Sequence, residues 1–295
     1  MIYTSTLLLE AVNRRSFLPA GQNTFLDSEL LAVADEILRN EMVPSLMRLN
    51  EEFFVQVKDY NITQNVQNYL IPDRAVGMIV RQVSYINPNG GVLKLDRIEY
   101  DEIDNITTTQ STPSGFFVKN DEVWLDRIPS ATSGTLRLHF QLRPGSLIDP
   151  SEAATVTAID RNTNVVSVST PPTSWVTGDI FDFISKSGAH KHVGFDLTSD
   201  LVSGSDITFS TDGIPDKLVV GDYIALREQS PLVQLTPEYR DLLSQGVACF
   251  LMEKMNLSGH KKEREYYTTN KLEIEKMIAP RTQGNPRIIR TPSFL

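Results

Sequence analysis

The chain has 295 residues, of which 40% are hydrophobic and 22% charged, and a formal net charge of −9. That length accommodates two domains, or one with a large insertion. The composition is that of a globular protein, no run approaches the roughly 18 apolar residues of a membrane span, and the acidity speaks against a dedicated nucleic-acid binder. A single cysteine, Cys249, excludes an intrachain disulfide and fits assembly in a reducing cytoplasm.

In chain order, the first fifty residues read as helical. Thr4 or Ser5 can cap a helix carrying Leu7, Leu8, Ala11 and Val12, and no basic start marks a secretory leader. Pro19, Gly21 and Asn23 break the chain, after which Asp27 can cap a second helix with Leu30, Leu31, Ala34, Ile37 and Leu38 on one face. Pro44 ends or restarts it, and a short piece with Leu46, Met47 and Leu49 follows.

Strands follow. Phe53 to Val57 is partly alternating; Val76 to Tyr85 and Val92 to Tyr100 flank the turn Asn87-Pro88-Asn89-Gly90-Gly91. Gly115 to Val118 and Glu122 to Leu125 make a second hairpin, and Gly134 to Leu142 sets Leu136, Leu138 and Phe140 against Arg137 and His139. Residues 53–150 are expected to be an antiparallel β meander with one buried face. Residues 151–230 form a second β-rich block, expected to be a small closed barrel or sandwich, in which Ala154 to Ile159 pairs with Val165 to Val168. Two phrases in it are alike, Trp175-Val176-Thr177-Gly178-Asp179-Ile180 and Val219-Val220-Gly221-Asp222-Tyr223-Ile224. In each the glycine permits a tight turn and the aspartate can accept from nearby backbone N–H groups. No full-length repeat is apparent.

Helix returns at Thr236-Pro237-Glu238, a cap, a first helical position and an acidic first turn. Leu242, Leu243, Val247, Phe250 and Leu251 supply an apolar stripe, and Asn256 to Gly259 is a turn. A last helix, about 261–278, carries Tyr267, Leu272, Ile274 and Ile278. Pro280 stops it, and residues 281–295 read as an extended tail. The fold expected is α+β: a helical bundle built from both chain ends (1–52 and 236–280), the inserted β blocks, and the tail.

Chemistry is sparse. His190 and His192 alternate with Asp196 nearby, but a metal site needs about four ligands, or three plus water. The simple reading of the two histidines is an exposed strand edge. Cys249, between Ala248 and Phe250, reads as a small buried hydrophobe. Neither a nucleophile elbow nor a phosphate loop occurs, and turn chemistry explains both Gly-Asp pairs. Trp124 and Trp175 read as core or interface aromatics. No catalytic residue, metal or cofactor is expected. Charge is uneven: from Lys261 onward there are eight basic and four acidic residues, and the last fifteen hold three arginines and no carboxylate.

Several phrases resemble the head-to-tail adaptor (connector) proteins of tailed bacteriophages. They are Thr24-Phe25-Leu26-Asp27-Ser28-Glu29-Leu30-Leu31, Tyr69-Leu70-Ile71-Pro72-Asp73 leading to Val83-Ser84-Tyr85, and Gly115-Phe116-Phe117-Val118 with Val123-Trp124-Leu125-Asp126. Thr135 to Phe140 ending in Arg143-Pro144, and Pro237 to Leu243 with Tyr266-Tyr267 downstream, complete the series. Their order along the chain carries the resemblance, which spans roughly 200 residues; the 151–230 block departs from it. The resemblance implies a virion protein of the neck, assembled in the host cytoplasm: a homo-oligomeric ring, commonly of twelve copies. It would bind the portal above and a tail or nozzle protein below, with DNA passing through its lumen, no sequence-specific DNA contact and no membrane. Arg281, Arg287, Ile288, Ile289, Arg290, Phe294 and Leu295 are the candidate portal-docking residues. Another neck or tail-tube component, a receptor- or glycan-binding β module using Trp175, Phe181, Phe183 and Phe195, and a tail hydrolase are the alternatives.

Overall fold

The computed structural model describes residues 2–16, 25–50, 52–99, 110–130, 132–257 and 259–278. The chain is mixed α+β and divides into two compact units, Met1–Glu51 with Ser146–Leu295, and Glu52–Gly145.

In the first unit, α1 (Ser5–Arg15) is capped by Thr4, whose Oγ1 accepts the Leu7 N–H at 3.3 Å. Helix α2 (Asp27–Ile37) starts one residue earlier in its cap than expected: Leu26 is the N-cap, and Glu29 accepts the Leu26 N–H at 2.9 Å. As expected, helix restarts at Pro44, which sits in the first turn of a new α-helix. A π segment, Leu38–Met42, joins α2 to α3 (Val43–Leu49), and the Val43 N–H bonds back to Leu38 O. Pro44 has no N–H to give, so widening the turn just before it lets helix continue through a residue that cannot complete the α ladder.

Helix α4 (Pro237–Lys254) is buried along most of its length, including Leu242, Leu243, Val247 and Leu251 of the expected stripe. Thr236 occupies the cap position without making the cap bond; its Oγ1 is buried. Helix α5 (His260–Ile278) buries no residue, its apolar Tyr267, Leu272, Ile274 and Ile278 included. The N-terminal segment bonds to later parts of this unit: Thr4 bridges to Leu232, Ser5 donates from N to Pro231 O at 2.9 Å and from Oγ to Ile148 O at 2.6 Å, and Ser45 Oγ lies 3.0 Å from Tyr239 Oη.

The β part of this unit has strands β9 (Ser146–Leu147), β10 (Ala154–Asp160), β11 (Val165–Val168), β12 (Ile180–Ile184), β13 (His192–Thr198), β14 (Leu201–Ser203), β15 (Asp206–Thr208), β16 (Tyr223–Leu226) and β17 (Gln229–Ser230). Seven of them form one antiparallel sheet in the order β13-β12-β16-β10-β11-β15-β14, and β17 pairs β9 in parallel. The order has two ends, and no ladder among the described residues joins them, so the closed barrel expected for this block is not formed. The end strands are nonetheless consecutive in the chain, and one apolar cluster draws on every strand of the sheet, from Ala154 and Val156 to Leu197, Ile207 and Ile224, with Val202 packed against it. The β10–β11 pairing is as expected.

The two Gly-Asp phrases fold alike, and the likeness runs further than the sequence suggests. Gly178 and Gly221 have φ of 93° and 92°. Asp179 Oδ2 accepts the Val176 N–H at 2.8 Å, and Asp222 Oδ2 accepts the Val219 N–H at 3.0 Å. Gly178 N and Asp179 O bond to the backbone of Ser199; Gly221 N and Asp222 O bond to that of Val156. The separation that takes Gly178 to Gly221 also takes the buried Ala154 to Leu197, Trp175 to Leu218 and Phe181 to Ile224. Strands β12 and β16 pair with each other, as do β11 and β15. The block is thus built from two similar β–β–turn–β units, each turn docked on the other unit's first strand. Little side-chain identity survives because only the turn geometry and apolar character are demanded.

The second unit holds β1 (Val55–Asn61), β2 (Asn68–Leu70), β3 (Ala75–Ile86), β4 (Val92–Lys94), β5 (Asp96–Arg97), β6 (Gly115–Lys119), β7 (Glu122–Leu125) and β8 (Thr135–Leu142). These make two four-stranded sheets, β1-β8-β3-β4 and β2-β7-β6-β5. β8 alternates as expected, with Leu136, Leu138 and Phe140 fully buried. Asn87 Oδ1 holds the β3–β4 hairpin by accepting from Asn89 and Gly91. The simple meander fails at Leu95: the expected strand from Val92 to Tyr100 leaves one sheet after Lys94 and enters the other at Asp96, where β5 pairs β6 in parallel. Buried Leu95 is the apolar pivot. Phe53 and Phe54 precede β1, Phe54 with φ of 63°.

Candidate functional site

The candidate docking residues Arg281, Arg287, Ile288, Ile289, Arg290, Phe294 and Leu295 lie outside the described residues. The polar constellation the structure does assemble lies elsewhere, around the two histidines. His190 and His192 do not sit on an exposed strand edge: both are buried. The reason is their partners.

His190 Nδ1 lies 3.0 Å from Ser185 O and its Nε2 receives the Tyr3 N–H at 3.2 Å. The carbonyl can only accept and the N–H can only donate, so the ring is neutral with its hydrogen on Nδ1. Burial, with Arg240 nearby, pushes its pKa down to about 4. His192 Nδ1 lies 3.2 Å from Gln234 Nε2 and its Nε2 3.4 Å from Asp182 Oδ2. Asp182, wholly buried in β12, also accepts the N–H groups of Asp196 and Glu228, each at 3.0 Å. Arg240 donates from Nε to Leu235 O at 3.0 Å and from Nη2 to Gly188 O at 2.5 Å, with its guanidinium 5.7 Å from the Tyr3 ring centre.

An aspartate orienting a histidine is half of a nucleophile triad. Here the ring nitrogens of His192 face Gln234 and Asp182, and solvent reaches neither residue. A general base must reach its substrate's proton, and this one is enclosed. What the network does is mechanical. It fastens the first residues of the chain, the 185–192 loop, the 231–235 segment and the start of α4 to one another through bonds that are costly to break when buried. Asp182, Gln234 and Arg240 were missed in the sequence; a carboxylate inside the apolar run Ile-Phe-Asp-Phe-Ile was the available signal.

Among the described residues, no group of three or more His, Cys, Asp or Glu side chains could hold a metal ion. Cys249 is buried, as expected, and burial raises its thiol pKa to about 11, so it is not a poised nucleophile. Asp179 and Asp222 cap their turns. Trp175, Phe181 and Phe183 pack in the block's core, Trp175 edge-on to Phe181 at 4.9 Å, so they make no exposed aromatic platform. Trp124 is half-buried and stacked on Phe117. No helix among the described residues is long and apolar enough to cross a membrane. No protein-family model and no curated protein matches the chain.

Proposed function

We propose that this protein is a structural adaptor of a tailed bacteriophage neck, a ring of identical copies that joins the portal to the tail and lines part of the DNA passage. The observation that supports the reading best is the packing of α1 and α2 against α4, helices from distant parts of the chain. Helices from residues 5–49 and 237–278 serve as the ring body, a bundle from both ends of the chain, with the β blocks inserted as ring decorations or contacts. Such bodies pack side by side through heterologous contacts that close. The ordered series of adaptor-like phrases along the chain points the same way. Residues 281–295 dock on the portal, with about twelve copies per ring, and an acidic lumen keeps passing DNA from sticking.

The test is the mass of the purified protein in solution, alone and mixed with the portal of the same virus. A portal-bound ring is expected, and deleting residues 281–295 should abolish attachment while the fold stays intact. A protein that ignores the portal, or forms a compact trimer, would instead make it a tail or receptor-binding component.

A further inference from the structure

We propose that His190 is an acid-released latch for the start of the chain. A proton on its Nε2 turns the acceptor that holds the Tyr3 N–H into a donor, and residues 2–4 leave the 231–233 segment. The device operates within a single chain and does not depend on the adaptor reading.

The position is built for one protonation state. His190 is wholly buried, and each of its four polar atoms is engaged. Its N–H donates to Ser187 O at 3.2 Å and its carbonyl accepts from Gln234 Nε2 at 3.0 Å, while Nδ1 donates to Ser185 O and Nε2 accepts from Tyr3. Its φ of 53° is left-handed, a backbone state that a residue with a side chain holds only when its surroundings enforce it. Once Nε2 carries a proton, two donors face each other across 3.2 Å in a site closed to water.

No counter-ion is at hand. Among the described residues no carboxylate bonds to the ring; Arg240 of α4 and the chain's amino group both add positive charge there. Asp182 is engaged by His192 and by the N–H groups of Asp196 and Glu228, and Asp241 acts on the Tyr3 hydroxyl. Of the neighbouring lysines, Lys186 turns its Nζ to Val220 O, and Lys191 follows His190 in the chain.

The latch itself is light. One isolated bridge joins the segments, with Ser5 N–H donating to Pro231 O at 2.9 Å and Val233 N–H to Tyr3 O at 3.1 Å. Tyr3 Oη is buried without a hydrogen-bond partner among the described residues, so release returns it to water. Helix α1 is anchored separately, since Leu8 and Val12 are fully buried and α1 packs on α4. Release therefore stops at its first turn.

The folded pKa of about 4 lies below the ordinary 6.5, so the latch is complete above pH 6.5 and weakens as pH falls toward 4. That gap caps the loss of protection at roughly 300-fold. The experiment follows the full chain from neutral pH down to about 4 by hydrogen exchange, corrected for intrinsic rate. The ring nitrogens of isotope-labelled histidine are read by NMR in the same samples. The Ser5 and Val233 N–H groups should lose at least about tenfold of their protection in step with protonation of His190 Nε2, while α4 stays protected. His190→Gln, whose amide can serve both partners but cannot titrate, should keep them protected throughout. Protection that persists in the wild type, or is lost while Nε2 is still bare, overturns the latch; so does loss in α4 at the same point. Should Gln fail to seat Tyr3 even at neutral pH, the paired wild-type readouts decide by the same criterion.

Discussion

The seven-stranded sheet and α5 belong to the same compact unit and are held by opposite means. The sheet wraps one cluster of apolar side chains, Phe181, Phe183, Phe209 and Ile224 among them, all fully buried. α5 packs the Tyr267 ring on Gly246 and is otherwise held by hydroxyls, amides and carboxylates. The contrast teaches where each part can change. A core of interdigitated aromatics has one good arrangement, whereas exposed ion pairs and hydrogen bonds each contribute little.

Truncating the sheet core should have the largest effect. Phe183→Ala is expected to cost about 3–5 kcal/mol, read as a drop in the denaturant midpoint of this unit. A loss under about 1 kcal/mol would mean the cluster does not hold the block together. The buried His190 comes next. Its folded pKa of about 4 lies below the ordinary 6.5. The folded state therefore binds fewer protons, its contribution is complete above pH 6.5, and stability falls as pH drops from 6.5 toward 4. The integrated loss is about 3 kcal/mol. Denaturation of wild type and His190→Gln across that window should give a shallower slope in the variant; equal slopes would remove His190 as the cause.

The two Gly-Asp turns sharpen the comparison within the sheet. Asp222 is buried and also accepts the Lys186 N–H at 2.9 Å, whereas Asp179 is only half-buried. Asp222→Ala should cost about 2–3 kcal/mol and Asp179→Ala about 1 kcal/mol; the reverse order in paired melts would contradict the assignment of their roles. The smallest effect belongs to α5. Tyr267→Phe removes only the bond to Glu41 and should change global stability by less than about 1 kcal/mol. Hydrogen exchange should nonetheless quicken across α5 while α4 stays protected. Loss of protection in both helices together would mean that they open as one.

Much of the chain order was legible beforehand. The alternation in β8, the Asn87–Gly91 turn, the Thr4 cap and the turn role of both Gly-Asp pairs are local, fixed by neighbours two to four residues away. The misreadings came where distant partners decide. His190 and His192 look like solvent-facing residues until Tyr3, Gln234 and Asp182 arrive from elsewhere in the chain. Val92 to Tyr100 looks like one strand until two sheets compete for it.

By itself the sequence determined the class of each segment, because secondary structure follows from spacing, turn residues and caps within a few positions. Tertiary structure alone decided that two weakly similar phrases are two units docked on each other's first strands. It also decided that the histidines are locks, and that α5 buries none of its residues. Burial and hydrogen-bond pairing depend on which surfaces meet, and that is a property of the whole fold.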